Sequence, residues 1–175
     1  ANDGPWTVPE GLRRRNAVLT LSRGDRSEGF SASLMGYRAH WTSTDQVPQR
    51  LLDSGQLGRF DSLDPSDGGH TTRSSLSGEW HRNNDGARSR VSAYAMRYSL
   101  ALYSNFTYAL ERPDQGDQFA QTDDRSVFGL QASHAFGHGL AGLPARSEVG
   151  LQLRHDRIHV GLFDTENFGK GYGEE

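Results

Sequence analysis

The chain has 175 residues, of which 34% are hydrophobic, with a formal net charge of −3 and no cysteine. The lack of cysteine excludes disulfides and thiolate metal sites, and the small negative charge excludes the broad basic surface that nucleic-acid binding requires. The composition is too polar for a typical water-soluble β-sandwich, whereas the ordered placement of 21 glycines and 10% aromatic residues argues against disorder.

The start of the sequence shows neither of two common membrane signals. No run approaches the roughly 20 apolar residues of a membrane-spanning helix. No charged start followed by an apolar segment marks a signal peptide at Ala1. We therefore expect the chain to begin as a mature or truncated protein.

Alternating apolar and polar residues predict six β-strands, because successive side chains on a strand point to opposite faces. The strands cover about residues 15–23, 28–41, 71–83, 87–103, 126–136 and 147–160. Three arginines at residues 13–15 lie at the head of the first strand, and we interpret them as a solvated or lumen-facing edge. In the second strand the alternation does not indicate which face contacts lipid.

The fourth predicted strand has the clearest alternation. We expect its apolar face to contact lipid, so that Leu100→Arg would cost about 2–4 kcal/mol in a bilayer. The residues of this face are Tyr94, Met96, Tyr98, Leu100 and Leu102.

Short and long connections alternate between the predicted strands. Residues 24–27, 84–86 and 137–145 form short or glycine-rich connections, whereas residues 42–70 and 105–124 form long polar loops. Tight turns at one rim and long loops at the other are typical of outer-membrane barrels. The pattern predicts that Asp25, Asp85 and Gly139 lie at one rim, and that Asp64 and Gln115 lie at the opposite rim.

Six strands are too few to close a membrane barrel, which needs at least about eight. Each strand is nevertheless long enough to cross a hydrocarbon layer when tilted, and an open edge in lipid would leave backbone groups unsatisfied. The sequence therefore predicts an all-β fold, an antiparallel up-and-down meander that is part of a transmembrane β-barrel wall. We expect residues 1–175 to form one partial barrel domain of a larger protein.

Two motifs have a misleading catalytic appearance. Residues 137–142 match G-x-G-x-x-G, but Pro144 and the next strand leave no room for the helix that a dinucleotide site requires. Two histidine pairs have a spacing of four, which on a strand separates the partners by about 13 Å, too far for one metal ion. These pairs are His134 with His138 and His155 with His159.

The loop at residues 61–69 presents Asp61, Asp64 and Asp67 among glycine and serine. Oxygen ligands of this kind suit calcium, but the spacing departs from the D-x-[DN]-x-[DN]-G loop and no glutamate follows at the required distance. We therefore interpret the three residues as turn-forming aspartates, with calcium binding as the alternative. We predict no metal site, no cofactor and no catalytic residue.

Seven short stretches of the sequence share features with one protein family. They are M-G-Y at residues 35–37 continuing to Trp41, S-T-D-Q-V-P-Q-R at 43–50, L-D-P-S-D-G-G at 63–69, R-V-S-A-Y at 90–94, S-N-F-T-Y at 104–108, G-D-Q-F at 116–119 and V-G-L-Q-L-R at 149–154. Together they resemble the barrel portion of proteobacterial TonB-dependent receptors, over about residues 4–165.

The resemblance implies energy-coupled uptake across the bacterial outer membrane. Such receptors are 22-stranded barrels with an internal plug that take up siderophores, other metal chelates or oligosaccharides after contact with TonB. This sequence shows neither a plug nor a TonB box, and it ends at residues 169–175 without a terminal aromatic residue. The implied partners are outer-membrane lipid, a small ligand and, only through the missing plug, TonB.

Ligand contacts are expected in the two long loops, because loops held by a rigid wall carry recognition. The alternative is a soluble or surface β-domain that binds a glycan or a protein, for which aromatic residues near the loop bases would serve as stacking surfaces. These aromatic residues are Trp41, Phe60, Tyr103, Phe106 and Tyr108. The predicted ligand-binding residues are Arg50, Arg59, Asp61, Asp64 and Asp67 in the first loop, with Asp114, Asp117 and Asp123 in the second.

Overall fold

The computed structural model describes residues 4–166 and 170–171. Its strands form one antiparallel sheet in which the strand order follows the chain. The predicted all-β fold with an antiparallel up-and-down meander is confirmed. One short helix, α1 (Gln49–Asp53), interrupts the first long connection. The strands are β1 (Arg13–Gly24), β2 (Glu28–Thr42), β3 (Gly68–Asn84), β4 (Ala87–Ser104), β5 (Phe119–Leu140), β6 (Leu143–Glu166) and β7 (Lys170–Gly171).

The last two long strands extend well beyond their predicted ends. β5 begins at Phe119 and β6 ends at Glu166, and the glycine-rich stretch between them is mostly strand. Only Ala141 and Gly142 form the turn, with φ of 50° and 77°. Two consecutive residues with positive φ give the tight turn whose twist suits a hairpin. Of the predicted terminal stretch 169–175, only Lys170–Gly171 lies within the described residues.

The strand order places the connections as predicted. The turns near Asp25, Asp85 and Ala141 lie at one end of the sheet, and both long loops lie at the other. At the turn end, the side chain of Asn83 donates to the carbonyl of Arg26 at 2.5 Å, which joins the first turn to β3. We refer to the two ends as the turn rim and the loop rim.

Cross-strand register assigns each residue to one face of the sheet, because directly paired residues project on the same side. One row runs through Leu19, Leu34, Leu76, Ala95 and Phe128 on β1 to β5. Two similar rows lie between it and the turn rim, and together they form an apolar belt on what we call the belt face. The belt comprises Leu19, Leu21, Phe30, Ala32, Leu34, Leu76, Gly78, Trp80, Val91, Ala93, Ala95, Phe128, Leu130, Ala132, Leu151 and Leu153.

The opposite face is polar at the depth of the belt. Its rows there are dominated by serine, glutamine and charged side chains, such as the row that pairs Glu79 with Ser92 and Ser92 with Gln131. The predicted set from Tyr94 to Leu102 does share this face. However, the directly paired neighbours of the set include charged residues, and charge is costly on a lipid-exposed surface. The charged neighbours are Arg73, Asp123 and Arg125, so the cross-strand neighbours do not fit the lipid contact that the sequence suggested.

Glycines make room for large aromatic rings on the opposite face. Tyr94 is paired with Gly129, and a Cβ added at Gly129 would collide with the tyrosine ring. Trp41 is paired with Gly69, where an added Cβ would lie 2.8 Å from the indole ring. Both rings therefore lie flat over the backbone of the neighbouring strand, which restricts their rotamers.

Both outer long strands have exposed edges. Among the described residues, β1 pairs only with β2, and β6 pairs with β5 along its length and with β7 only at Thr165 and Glu166. Each strand therefore presents an edge of backbone N–H and C=O groups to which another strand is able to form hydrogen bonds. No helix within the described residues is long and apolar enough to cross a bilayer.

Candidate functional site

The two long loops form a connected layer over the loop rim. The first loop, residues 43–67, contains α1, and the second loop covers residues 105–118. Arg50 of α1 donates to the carbonyl of Thr107 at 3.2 Å, which ties the first loop to the second. At the base of the layer, the ring of Phe106 packs edge-to-face on Phe119 with centroids 5.4 Å apart.

A buried polar network holds this layer together. Asp67 is fully buried, and its carboxyl oxygens accept from the backbone N–H of Asn105 at 3.1 Å and from Nε2 of Gln118 at 3.1 Å. Gln118 in turn accepts from the hydroxyl of Thr165 at 3.1 Å. Asn105 donates to Asp64 at 3.0 Å. The network thus links both loops with the end of β6.

Burial, the largest cause, and the nearby carboxyl groups of Asp64 and Asp45 together raise the pKa of Asp67 to about 8, against the opposing hydrogen bond from Gln118. A hydrogen bond between the carboxyl groups of Asp67 and Asp45 favours the same neutral state. The raised pKa favours a protonated Asp67 at neutral pH, because burial withdraws the carboxyl group from water.

We expect the stability of the loop layer to fall as pH rises through about 8. The folded chain keeps the Asp67 proton to about pH 8, whereas the unfolded chain loses it near its ordinary pKa of 3.8. The stabilisation that this proton contributes is thus fully present below pH 3.8, the pKa in the unfolded chain. It is lost as the pH rises through about 8, the pKa in the folded chain. Urea unfolding between pH 5 and pH 9 measures the effect. Asp67→Asn mimics the neutral carboxyl and should flatten the profile, and equal slopes for both chains would contradict the assignment.

Asp117 organises the second loop as an ionised carboxylate, because hydrogen bonds together have a larger effect on its pKa than burial has. Burial alone raises its pKa, but hydrogen bonds from Thr107 and from three backbone N–H groups outweigh burial and lower the pKa to about 2. The hydroxyl of Thr107 donates at 2.6 Å. The three N–H donors belong to Leu110, Glu111 and Arg112. All of these donors lie in the loop itself, so Asp117 fixes the loop conformation as an ionised carboxylate.

The predicted ligand-binding residues fall into two groups. In the first group, the carboxyl groups are occupied by contacts within the fold. Asp61 accepts from the backbone N–H of Gly58 at 2.6 Å, and Asp123 accepts from Nε of Arg125 at 2.8 Å. The remaining members of this group are Asp64, Asp67 and Asp117, described above.

In the second group, the side chains are exposed on the loop layer. Arg50, Arg59 and Asp114 are exposed. Asp114 lies beside a groove of about 340 Å³ between the two loops, which Asn105 and Gln118 also line. A ligand-binding role stays a prediction for all eight residues, and the exposed group has the side chains best placed for it. The network residues Asn105 and Gln118 were not expected from the sequence, because asparagine and glutamine in a polar loop carry no distinguishing pattern.

The histidine pairs lie along strands, as expected. His134 and His138 project on the belt face, where Phe136 stacks between them with centroid distances of 5.7 Å to each ring. His134 contacts the hydroxyl of Ser89 at 2.9 Å, and His138 contacts Ser147 at 2.8 Å. Among the described residues, no three His, Asp or Glu side chains are grouped closely enough to hold a metal ion.

The belt face is layered from one rim to the other. The aromatic stack around Phe136 lies toward the turn rim, the apolar belt follows, and arginines at Arg15, Arg38 and Arg97 lie on the loop side of the belt. From Phe136 to Phe128 the strand advances about 27 Å, or about 21 Å in height at a tilt of about 40°, close to the ~25 Å apolar band of membrane barrels.

The belt is also open to solvent. Leu19 is 69% exposed, Leu76 55% and Phe128 53%. Few apolar side chains in the described residues are buried at all, namely Ala39, Leu63, Ala120, Val127 and Ala135. An exposed apolar surface of this extent marks an interaction site.

Comparison of the chain with protein-family models, curated proteins and solved structures gave no match.

Proposed function

We propose that this sheet is part of the wall of an outer-membrane β-barrel receptor that takes up a small ligand. The observation that supports the proposal best is the exposed apolar belt on one face, opposite a polar face at the same depth. A membrane barrel wall requires this arrangement, because one face contacts lipid while the other faces a wet lumen. The short turns at one rim and the ordered loop layer at the other fit the periplasmic and extracellular ends of such a wall.

In this proposal the belt face contacts lipid and the face carrying Tyr94 and Met96 lines the lumen. The exposed edges of β1 and β6 would pair with further strands of the same wall, because unpaired backbone groups are not tolerated in lipid. The resemblance to TonB-dependent receptors suggests the ligand class, which is a siderophore, another metal chelate or an oligosaccharide. No catalytic step is proposed.

The alternative is a soluble or surface β-domain that binds a glycan or a protein. The observation that favours it is the exposure of two aromatic rings on the loop layer, Phe106 at 53% and Tyr108 at 48%. Exposed rings of this kind stack on sugar rings or pack in protein interfaces. Contact between the apolar belt and lipid distinguishes the two functions.

Fluorescence quenching by brominated lipid tests the proposed lipid contact. The chain has three tryptophans, and Trp80 lies in the belt. In the variant W6F/W41F, refolded into brominated phosphatidylcholine vesicles, we expect strong quenching of Trp80, because lipid chains touch the belt directly. The measurement compares the fluorescence intensity in brominated and in ordinary vesicles.

A matched control places the single tryptophan on the other face, about 10 Å along the strand from Trp80. Ser77 lies three residues from Trp80 on the opposite face, so Ser77→Trp in a W6F/W41F/W80F background should be quenched weakly. Stronger quenching at position 77 would reverse the assignment of the faces. A chain that stays monomeric in buffer and is not quenched at either position would support the soluble alternative.

A further inference from the structure

Three arginines form a cluster on the belt face, at the border between the apolar belt and the loop rim. Arg15 on β1 is directly paired with Arg38 on β2. Arg97 projects from β4 on the same face, two strands away from Arg38. All three side chains are exposed. Two like charges directly opposite each other destabilise a strand pair, so folding alone gives no reason for this arrangement.

A groove that all three arginines line lies on this part of the sheet, and several of the other residues that line it are small. Its volume is about 460 Å³. At Gly36, an added Cβ would meet no atom within 4 Å, which shows that the floor is open. The belt-face residues that line the groove include Arg15, Ala17, Gly36, Arg38, Ser74 and Arg97.

The cluster is not neutralised by its surroundings. Within residues 4–166 and 170–171, none of the three guanidinium groups forms an ion pair or a side-chain hydrogen bond. On the belt face of β1 to β4, the carboxylate of Glu28 lies at the distant turn rim. The nearest carboxylate is Asp124 on β5, which shares the row of Arg38 and is a diagonal neighbour of Arg97 without forming an ion pair with it. The groove is thus a concentration of unpaired positive charge.

The groove is continuous with the apolar belt. On β2, the belt-face residues Leu34, Gly36 and Arg38 follow one another at intervals of about 7 Å. An occupant with a negative head and an apolar tail would place the head between the arginines and the tail on Leu34 and Leu76. Arginine suits phosphate oxygens because its planar fork of donors binds them in pairs.

We propose that Arg15, Arg38 and Arg97 bind the phosphate group of an anionic lipid whose acyl chains cover the apolar belt. The proposal rests on the proposed membrane location of the sheet and adds a lipid-headgroup site to it. Charge complementarity selects the head, and continuity with the belt selects a lipid rather than a free anion. The site would fix the depth of the wall in the leaflet next to the loop rim.

Vesicle partitioning tests the proposal. The refolded chain is mixed with vesicles of phosphatidylcholine alone or with about 30% phosphatidylglycerol, and the ratio of the two partition coefficients is measured. Each arginine near an anionic surface contributes about fivefold, so the triple variant R15Q/R38Q/R97Q should lower this ratio by up to about 100-fold. High salt should lower the wild-type ratio in the same direction.

A second triple variant separates the site from net charge. R14Q/R73Q/R88Q removes the same charge from exposed arginines of the opposite face, and we expect it to retain the wild-type ratio. Infrared spectra of both variants check that they keep their β-structure. Equal losses in the two variants would overturn the site, since net charge alone would then explain the effect.

Three further outcomes are decisive. Loss of the wild-type ratio in about 10 mM inorganic phosphate would indicate a site for a free anion and overturn the assignment to lipid. If the wild-type chain enters phosphatidylcholine vesicles but its partition coefficient does not rise with phosphatidylglycerol, the headgroup site alone would be overturned. A chain that enters neither kind of vesicle would overturn the proposed membrane location, and the headgroup site with it.

Discussion

Leu76→Arg is expected to lower the free energy of unfolding of the chain in phosphatidylcholine vesicles by about 2–4 kcal/mol. Leu76 lies in the apolar belt, paired with Leu34 on one side and Ala95 on the other. An arginine there would have apolar neighbours in its row and would have to extend along the strand to reach water. Urea titration of the vesicle-bound chain, followed by tryptophan fluorescence, measures the change.

Ser77→Arg is the matched control, because Ser77 is the next residue on the same strand and lies on the opposite face. We expect a change below about 1 kcal/mol, since its side chain would enter a wet lumen. Leu100→Arg should also be mild, in contrast to the expectation from the sequence, because its paired neighbours are Thr71 and Asp123. If Ser77→Arg proved costlier than Leu76→Arg, the belt face would line the lumen.

Gln118→Ala is expected to cost about 2–4 kcal/mol of stability and to loosen the loop layer. The Gln118 side chain is 1% exposed and donates to Ser66 at 2.7 Å and to Asp67 at 3.1 Å. Its carbonyl oxygen accepts from Thr165 at 3.1 Å. Truncation removes these three hydrogen bonds and leaves one carboxyl oxygen of buried Asp67 and the hydroxyl of buried Thr165 without this partner, at about 1–3 kcal/mol for each unsatisfied group. Unfolding in urea and the rate of proteolysis in residues 43–67 report the loss.

The control for this truncation is Gln115→Ala. Gln115 lies three residues earlier in the same loop and is exposed, so its truncation should change stability by less than about 0.5 kcal/mol. Similar effects at both positions would mean that the network does not stabilise the loop layer.

The strand order and the two rims were predictable from the sequence because they depend on local signals. Asp85 and Gly86, which both have positive φ, follow the third strand directly. The alternation of β4 fixes its two faces without reference to any other strand. These features need only the period of two and the turn chemistry.

The side that carries the apolar belt was not predictable from one strand. In β4, the residues Tyr94 and Met96 look more apolar than Ala93 and Ala95. The belt becomes visible only when Ala95 is placed in a row with Leu76 and Phe128, because lipid contact depends on whole rows rather than single side chains.

The burial of Asp67 was also not predictable from the sequence, because it depends on residues that are distant along the chain. The sequence shows an aspartate in a glycine-rich loop, which is usually solvated. Its partners Asn105 and Gln118 lie 38 and 51 residues away, so no local pattern connects them. The early start of β5 was missed because residues 119–125 contain three charged side chains, which interrupt the apolar alternation that predicts a strand.

The alternation of turns and loops also determines the order in which the sheet can assemble. Closing a two-residue turn costs far less chain entropy than closing a connection of more than ten residues, so each short turn defines a hairpin that forms as a local unit. The sheet thus consists of three hairpins, β1–β2, β3–β4 and β5–β6, which must still pair with one another. The buried network contains residues from both connections between hairpins. Asp67 lies between the first two hairpins, and Asn105 and Gln118 lie between the second and third. Thr165 lies at the end of the third hairpin. Because these residues come from different hairpins, the network is complete only when all three hairpins have paired.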